Sequence, residues 1–199
     1  MFNLYTSYFK TNEKRQKELE FCLRMNCELY LIKKVYLLIE EPIDFEHEKV
    51  EKIMIKSRPT YSTMFDLVNI HTIEGDWNII ANSDIYFDKT LEQVNRYSSR
   101  RPICISLTRW ETSPNLFFLN RRDSQDCWIF KGKINHIQSD FFTGIPGCDN
   151  AIADRIARAG YDIINPSRTI KSYHVHKSSE RNYGNQKVPM PYKFLQPTA

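Results

Sequence analysis

Nowhere in the 199 residues does an apolar run approach the roughly 20 residues that a bilayer-crossing helix needs. The N-terminal MFNLYTSYFK also lacks a basic region leading into a long apolar core, so the chain reads as soluble, unexported and cytoplasmic (the host cytoplasm if it is viral). No CxxC spacing occurs among the cysteines at 22, 27, 104, 127 and 148, and their odd number argues for reduced, mostly buried thiols rather than a disulfide framework. A cysteine nucleophile stays open at Cys127 or Cys148, although no nucleophile signature surrounds either one. Basic residues are not clustered: 28 of them are mixed with 24 acidic ones, and a net charge of +4 spread this evenly lacks the footprint of a nucleic-acid binder. It supports only a mild preference for anionic ligands. Internal repeats and low-complexity segments are absent too.

What is present is enough apolar material, 41% of residues, for one well-buried core. The reading is a single domain over 1–181 and an irregular C-terminal tail or linker over 182–199, where three prolines and a Gly-Asn pair replace periodic apolar positions. NLYTSYF near the start has strand composition, and Asn12 caps a helical pattern behind it. VYLLIEE at 35–41 is continuously apolar until its end, as a strand covered on both faces should be. Further strands are predicted at VEKIMI (50–55), WNIIAN (77–82), ICISLTRW (103–110) and CWIFKG (127–132). Helices are predicted from Arg58-Pro59-Thr60-Tyr61 through Asn69, and from Asn150 to Ala159 before Gly160. This alternation points to an α/β domain with a largely parallel central sheet.

Ligands of open α/β sheets collect beyond the carboxyl ends of the strands. Asp84 sits at such an end, in IIANSDIYFD, where it is either a turn or cap residue or a carboxylate held out to a ligand. Tyr173-His174-Val175-His176 places two imidazoles one residue apart, on one face if extended. With Asp84 they could form an oxygen and nitrogen site suited to Mn²⁺ more than Mg²⁺, and less to zinc, for which no cysteine or third histidine has ligand spacing. In TGIPGCDNAIA a Gly/Pro loop enters a helix with Asp149 in its first turn, either as a cap or as a rigidly placed general base.

Taken together, IIANSDIYF, the helix-opening GCDN and the late histidine resemble the GT-A glycosyltransferases over most of residues 2–178, and the compact layout is similar to small viral and bacterial members, including a capsid-glycosylating chlorella-virus type. The resemblance implies a GT-A (Rossmann-like) domain with a mixed, mostly parallel central sheet flanked by helices. It implies a metal-dependent, inverting transfer from a nucleotide-sugar donor, UDP-hexose foremost with a dTDP-deoxysugar left open, to a glycan or glycoprotein acceptor. Carried over by position, Asp84 matches the last acid of the family's DxD motif and binds the Mn²⁺ (or Mg²⁺) with His174 or His176. The first acid is replaced by Asn82, which beside Ser83 is left with a hydrogen bond to the ribose or a contact outside the metal's own ligands. Asp149 is the first choice of catalytic base and Asp126 the second. Thr6, Ser7, Tyr8, Glu40 or Glu41, and Arg58 beside Tyr61 would meet the nucleotide, while Arg109, Trp110 and Trp128 would line the sugar pocket.

Two other classes remain. Asp126 and Asp149 could serve a two-carboxylate glycoside hydrolase, which leaves the histidine pair unexplained. A non-catalytic nucleotide-sugar or carbohydrate-binding module would keep the fold and explain the imperfect DxD.

Overall fold

A computed structural model describes residues 1–97, 99–176 and 186–199. The central sheet is built from β1 (Phe2–Tyr8), β2 (Ile32–Ile39), β3 (Val50–Met54), β4 (Trp77–Ala81), β6 (Ile103–Leu107), β9 (Cys127–Lys131) and β10 (Asp162–Ile164). Its strand order is β10-β6-β9-β4-β1-β2-β3. Four neighbouring pairs are parallel, and β9 alone runs antiparallel to both of its neighbours. The amino end of β9 therefore lies beside the carboxyl ends of β4 and β6, which brings Asp126 to the same rim as Asn82.

Strand sequences explain why the sheet is covered on both sides. Every residue of β4 is buried, and β1 alternates Phe2, Leu4 and Tyr8 toward one apolar cluster with Tyr5 toward the other. Helix α1 (Glu13–Glu28) covers the first face with Leu19, Leu23 and Cys27. Helices α2 (Tyr61–His71) and α3 (Cys148–Arg158) cover the second with Met64, Phe65, Val68, Ala151, Ile152 and Ile156. Each fully buried Leu or Ile contributes about 1.5–3 kcal/mol, so the two clusters hold the rim fixed.

A second, smaller sheet joins β5 (Ile85–Phe87), β7 (Trp110–Glu111), β8 (Phe117–Phe118) and β11 (Ser172–His174) in the order β5-β11-β7-β8. In register, His174 faces Ile85 on one side and Glu111 on the other. Asn26 of α1 clamps β5 by donating to the Ile85 carbonyl at 2.8 Å and accepting from the Phe87 amide at 3.1 Å. The sequence pattern ran one strand from 103 to 110; the structure ends it at Leu107 and passes Trp110 to the second sheet. His174 is the last residue of β11.

Residues 186–199 carry no helix or strand, yet they are not loose. Val188 and Leu195 are buried, and the backbone amides of Val188, Lys193 and Leu195 donate to the carbonyls of Pro146, Asn150 and Arg122 at 3.0, 2.9 and 2.9 Å. Apolar side chains inside a proline-spaced segment supply anchors that periodicity does not reveal. The division expected at 181/182 lies outside the described residues. Among the described residues no helix is long and apolar enough to cross a membrane.

Candidate functional site

A cleft of about 1160 Å³ runs along the carboxyl rim, from Ser7, Tyr8 and Glu40 at the β1–β2 end, past Asp84, to Asp126 and Asp149. Asp84 is 8% exposed, one residue before β5, and its backbone carbonyl accepts from the Val175 amide at 3.0 Å. That bond brings together residues about ninety positions apart. His174 Nε2 lies 3.2 Å from Asp84 Oδ2 and His176 Nδ1 lies 3.9 Å from it. One ligand atom from each of Asp84, His174 and His176 can be chosen so that all lie within 4.8 Å of one another.

The surroundings orient this trio. His174 Nδ1 meets Glu111 Oε2 at 2.7 Å, and a hydrogen bond on that nitrogen leaves Nε2 to face Asp84. Arg15, buried on α1, donates to Asp84, to Glu18 at 2.8 Å and to the Val175 carbonyl at 3.0 Å. Arg109 Nε donates to Glu111 at 2.7 Å, while its Nη1 donates to both oxygens of Asp126 at 3.1 and 3.2 Å. Asn82 Nδ2 donates to Asp126 at 3.0 Å, so the Asn82 side chain is tied to the neighbouring carboxylate.

Burial would raise the Asp84 carboxyl, but His174 and Arg15 outweigh it and hold it well below the usual carboxylate range. Burial likewise disfavours the His174 imidazolium, yet Asp84 and Glu111 carry its pKa up to about 9. A bound cation would have to replace that proton. His176 moves the other way, lowered by burial and by Arg15. The network joins four carboxylates (Glu18, Asp84, Glu111, Asp126) to two guanidiniums (Arg15, Arg109), leaving two negative charges when both histidines are neutral. Charge and donor set both fit a divalent ion of intermediate hardness.

Asp149 lies in the first turn of α3, after Gly147, whose φ of +81° turns the chain tightly into the helix. Burial and the charge of Asp126 push its carboxyl up to about 7, and the Cys148 thiol lies 3.1 Å from Asp149 Oδ1. Of the other residues singled out in the sequence, Ser7, Tyr8, Glu40, Arg58, Asn82, Ser83 and Arg109 also line the cleft.

Five others do not reach it. Trp128 is 1% exposed on the β9 face turned toward α2 and α3, and its Nε1 donates to Tyr61 Oη at 3.2 Å, so the pair is core packing. Trp110 donates to the Ser167 carbonyl at 2.9 Å and packs on Phe118. Thr6 is buried inside the strand end, and Glu41 lies outward at 3.8 Å from Lys10. Cys127 and Cys148 are buried with their thiols pushed up, which removes the nucleophile reading. Arg15, Glu18 and Glu111 escaped the sequence reading. Arg15 and Glu18 sit on a helix that reads as a charged, solvated face, and only the pairing of β7 with β11 places Glu111.

No family model matches the chain, and no curated protein matches it. Solved structures do. S. aureus TarS 1–349 in complex with UDP-GlcNAc aligns over 90% of this chain and 59% of that chain, with a TM-score of 0.57 at 10% identity. The catalytic domain of Drosophila beta1,4galactosyltransferase 7, in complex with xylobiose, aligns over 94% of this chain and 75% of that chain, with a TM-score of 0.55 at 13% identity. The chain spans about three fifths of the TarS piece. The bifunctional IspDF from Campylobacter jejuni is also similar, with a TM-score of 0.49 at 14% identity over 82% of this chain and 48% of that one. The fold is that of the GT-A glycosyltransferases, a mixed α/β domain with a mostly parallel central sheet flanked by helices. Neither of the two glycosyltransferase neighbours bears on the narrower likeness to a capsid-glycosylating viral enzyme.

Proposed function

We propose that the chain is a metal-dependent, inverting glycosyltransferase that moves a sugar, foremost a hexose from UDP, to a glycan or glycoprotein acceptor. The observation that carries this is the convergence of Asp84, His174 and His176 on the floor of the cleft that Asp149 also lines. A divalent ion held there would neutralise charge developing on the leaving diphosphate.

The remaining roles belong to this chain's own residues. Asp84, His174 and His176 would hold the ion, with Glu111 fixing the ring of His174. Ser7, Tyr8 and Arg58 meet the nucleotide at the β1–β2 end of the cleft. Asp149 takes the acceptor hydroxyl's proton while that oxygen bonds to the anomeric carbon and the carbon–diphosphate bond breaks with its electron pair on the diphosphate. Attack on the face opposite the leaving group inverts the anomeric centre. A carboxyl with a pKa near 7 is well matched to accepting a proton around neutrality. Asp126, both of whose oxygens accept from Arg109, holds that guanidinium and keeps negative charge beside Asp149.

The Arg15–Asp84 ion pair favours one other reading, in which Asp84 is satisfied without an ion and the domain binds a nucleotide sugar without turning it over. Calorimetric titration of UDP-glucose, UDP-galactose and UDP-GlcNAc separates the two. Binding that needs Mn²⁺, together with release of UDP when acceptor is added, supports the transferase. Equal binding in EDTA and no UDP release with any acceptor supports the binding module.

A further inference from the structure

The transferase reading leaves one wall of the cleft without a task. Lys187, Tyr192 and Phe194, all from the C-terminal segment, line it on the side of Asp149, away from the β1–β2 end. The backbone bonds to Pro146, Asn150 and Arg122 pin this segment to the loop before α3, to the first turn of α3 and to the approach to β9.

Between its buried anchors Val188 and Leu195 the segment keeps an aromatic in the open: Phe194 is 49% exposed. Its ring has the Arg122 guanidinium 5.2 Å from its centroid and Tyr192 edge-on at 6.4 Å. Tyr192 Oη donates to the Val188 carbonyl, and a Cβ on Gly147 would lie 2.6 Å from Tyr192 Oη, so glycine is what lets the ring sit against the start of α3. Asn150, next to the proposed base, is 6% exposed and lines the cleft, and among the described residues its Nδ2 has no hydrogen-bond partner.

We infer that residues 186–199 form the acceptor wall of the site, and that the acceptor is a carbohydrate whose ring lies against Phe194 while one hydroxyl reaches Asp149; this rests on the transferase reading. The C–H face of a pyranose is apolar and its rim is hydroxylated. It therefore matches an exposed aromatic ring with one guanidinium beside it, in a cleft that an amide and a carboxylate also line, better than a peptide side chain does. The hydroxyl's oxygen becomes the new glycosidic oxygen and its proton passes to Asp149, so the sugar already on the acceptor is extended by one.

The experiment uses methyl β-glycosides of glucose, galactose, xylose and N-acetylglucosamine as probes. Their binding is followed by saturation-transfer difference NMR, with and without UDP and Mn²⁺, on the wild type, Phe194→Ala and Phe194→Trp. Phe194 is half exposed, so its truncation spares the core, and circular dichroism checks the fold of both variants. The expected result is binding of at least one glycoside, weakened about tenfold or more by Phe194→Ala, as for loss of roughly 1.4 kcal/mol of stacking, and restored by Phe194→Trp. Wild type that binds no glycoside in either condition overturns the inference, as does Phe194→Ala binding as tightly as wild type. So does saturation transfer to a serine-containing peptide but to no sugar. Phe194-dependent glycoside binding by a protein that binds no nucleotide sugar would sink the transferase reading while leaving the carbohydrate subsite in place.

Discussion

In the proposed transferase Asp149 would do two things that conflict, since a carboxyl whose proton is held up to about 7 is suited to general-base work but costs the fold its ionisation. For catalysis the base must be unprotonated, so the rate constant for transfer should rise with pH through about 7 and level off above it. Asp149→Asn should keep donor binding and lower transfer by about 10² to 10⁴, the range typical of general-base removal, measured as UDP release with saturating acceptor. For stability the sign is opposite. The folded pKa lies above the ordinary carboxylate value, so the native state binds more protons than the unfolded chain between roughly pH 4 and 7, and this group's contribution falls as pH rises through that window. Asp149→Asn should therefore melt higher than wild type at pH 8, and an equal or lower midpoint would contradict the burial and charge described for this carboxyl. The position was legible in the sequence because a Gly/Pro loop and a helix start bracket it. Arg15 was not legible, because its partner Asp84 lies 69 residues away and a charged helix face ordinarily points to water.

Elements differ in how much of themselves they carry locally. Strands β1, β2, β4 and β9 are apolar runs whose neighbours are long and buried, and composition alone marks them. Strands β5, β7, β8 and β11 are two or three residues long, below the length at which alternation is visible, and exist because they pair with each other. Yet that small sheet is what sets His174 beside Asp84. Helix α1 should be sensitive at its cap: Asn12 accepts from the Arg15 amide at 2.9 Å, and Asn12→Ala should cost about 1 kcal/mol, seen as a lower midpoint in urea. At α3, Gly147→Ala forces a non-glycine residue to a φ of +81° and presses on Tyr192. About 1–2 kcal/mol of lost stability is expected from the backbone alone, again read from the urea midpoint. A neutral outcome would mean that the turn into α3 relaxes.

At the scale of the whole molecule, the cleft is assembled from segments that the chain order keeps apart: the β1 end, the Asn82–Asp84 turn, the rim around Asp126, the start of α3, the β11 end and the C-terminal segment. The α/β alternation predicted a parallel sheet with its ligands at the carboxyl rim, and the rim is where these residues meet. Residues 186–199 dock through two buried side chains, Val188 and Leu195, and such anchoring leaves no period in the sequence to detect. The account stands on an ion joining Asp84 to the histidines, and thermal unfolding of wild type and Asp84→Ala with UDP-glucose, UDP-galactose and UDP-GlcNAc, in Mn²⁺ and in EDTA, tests it most directly. A ligand at about 100 times its Kd adds about 2.7 kcal/mol, roughly 5–10 °C for a domain of this size. The account predicts that shift for at least one nucleotide sugar in wild type with Mn²⁺ and its loss in EDTA and in Asp84→Ala; an equal shift in EDTA, or a full shift in the variant, contradicts it.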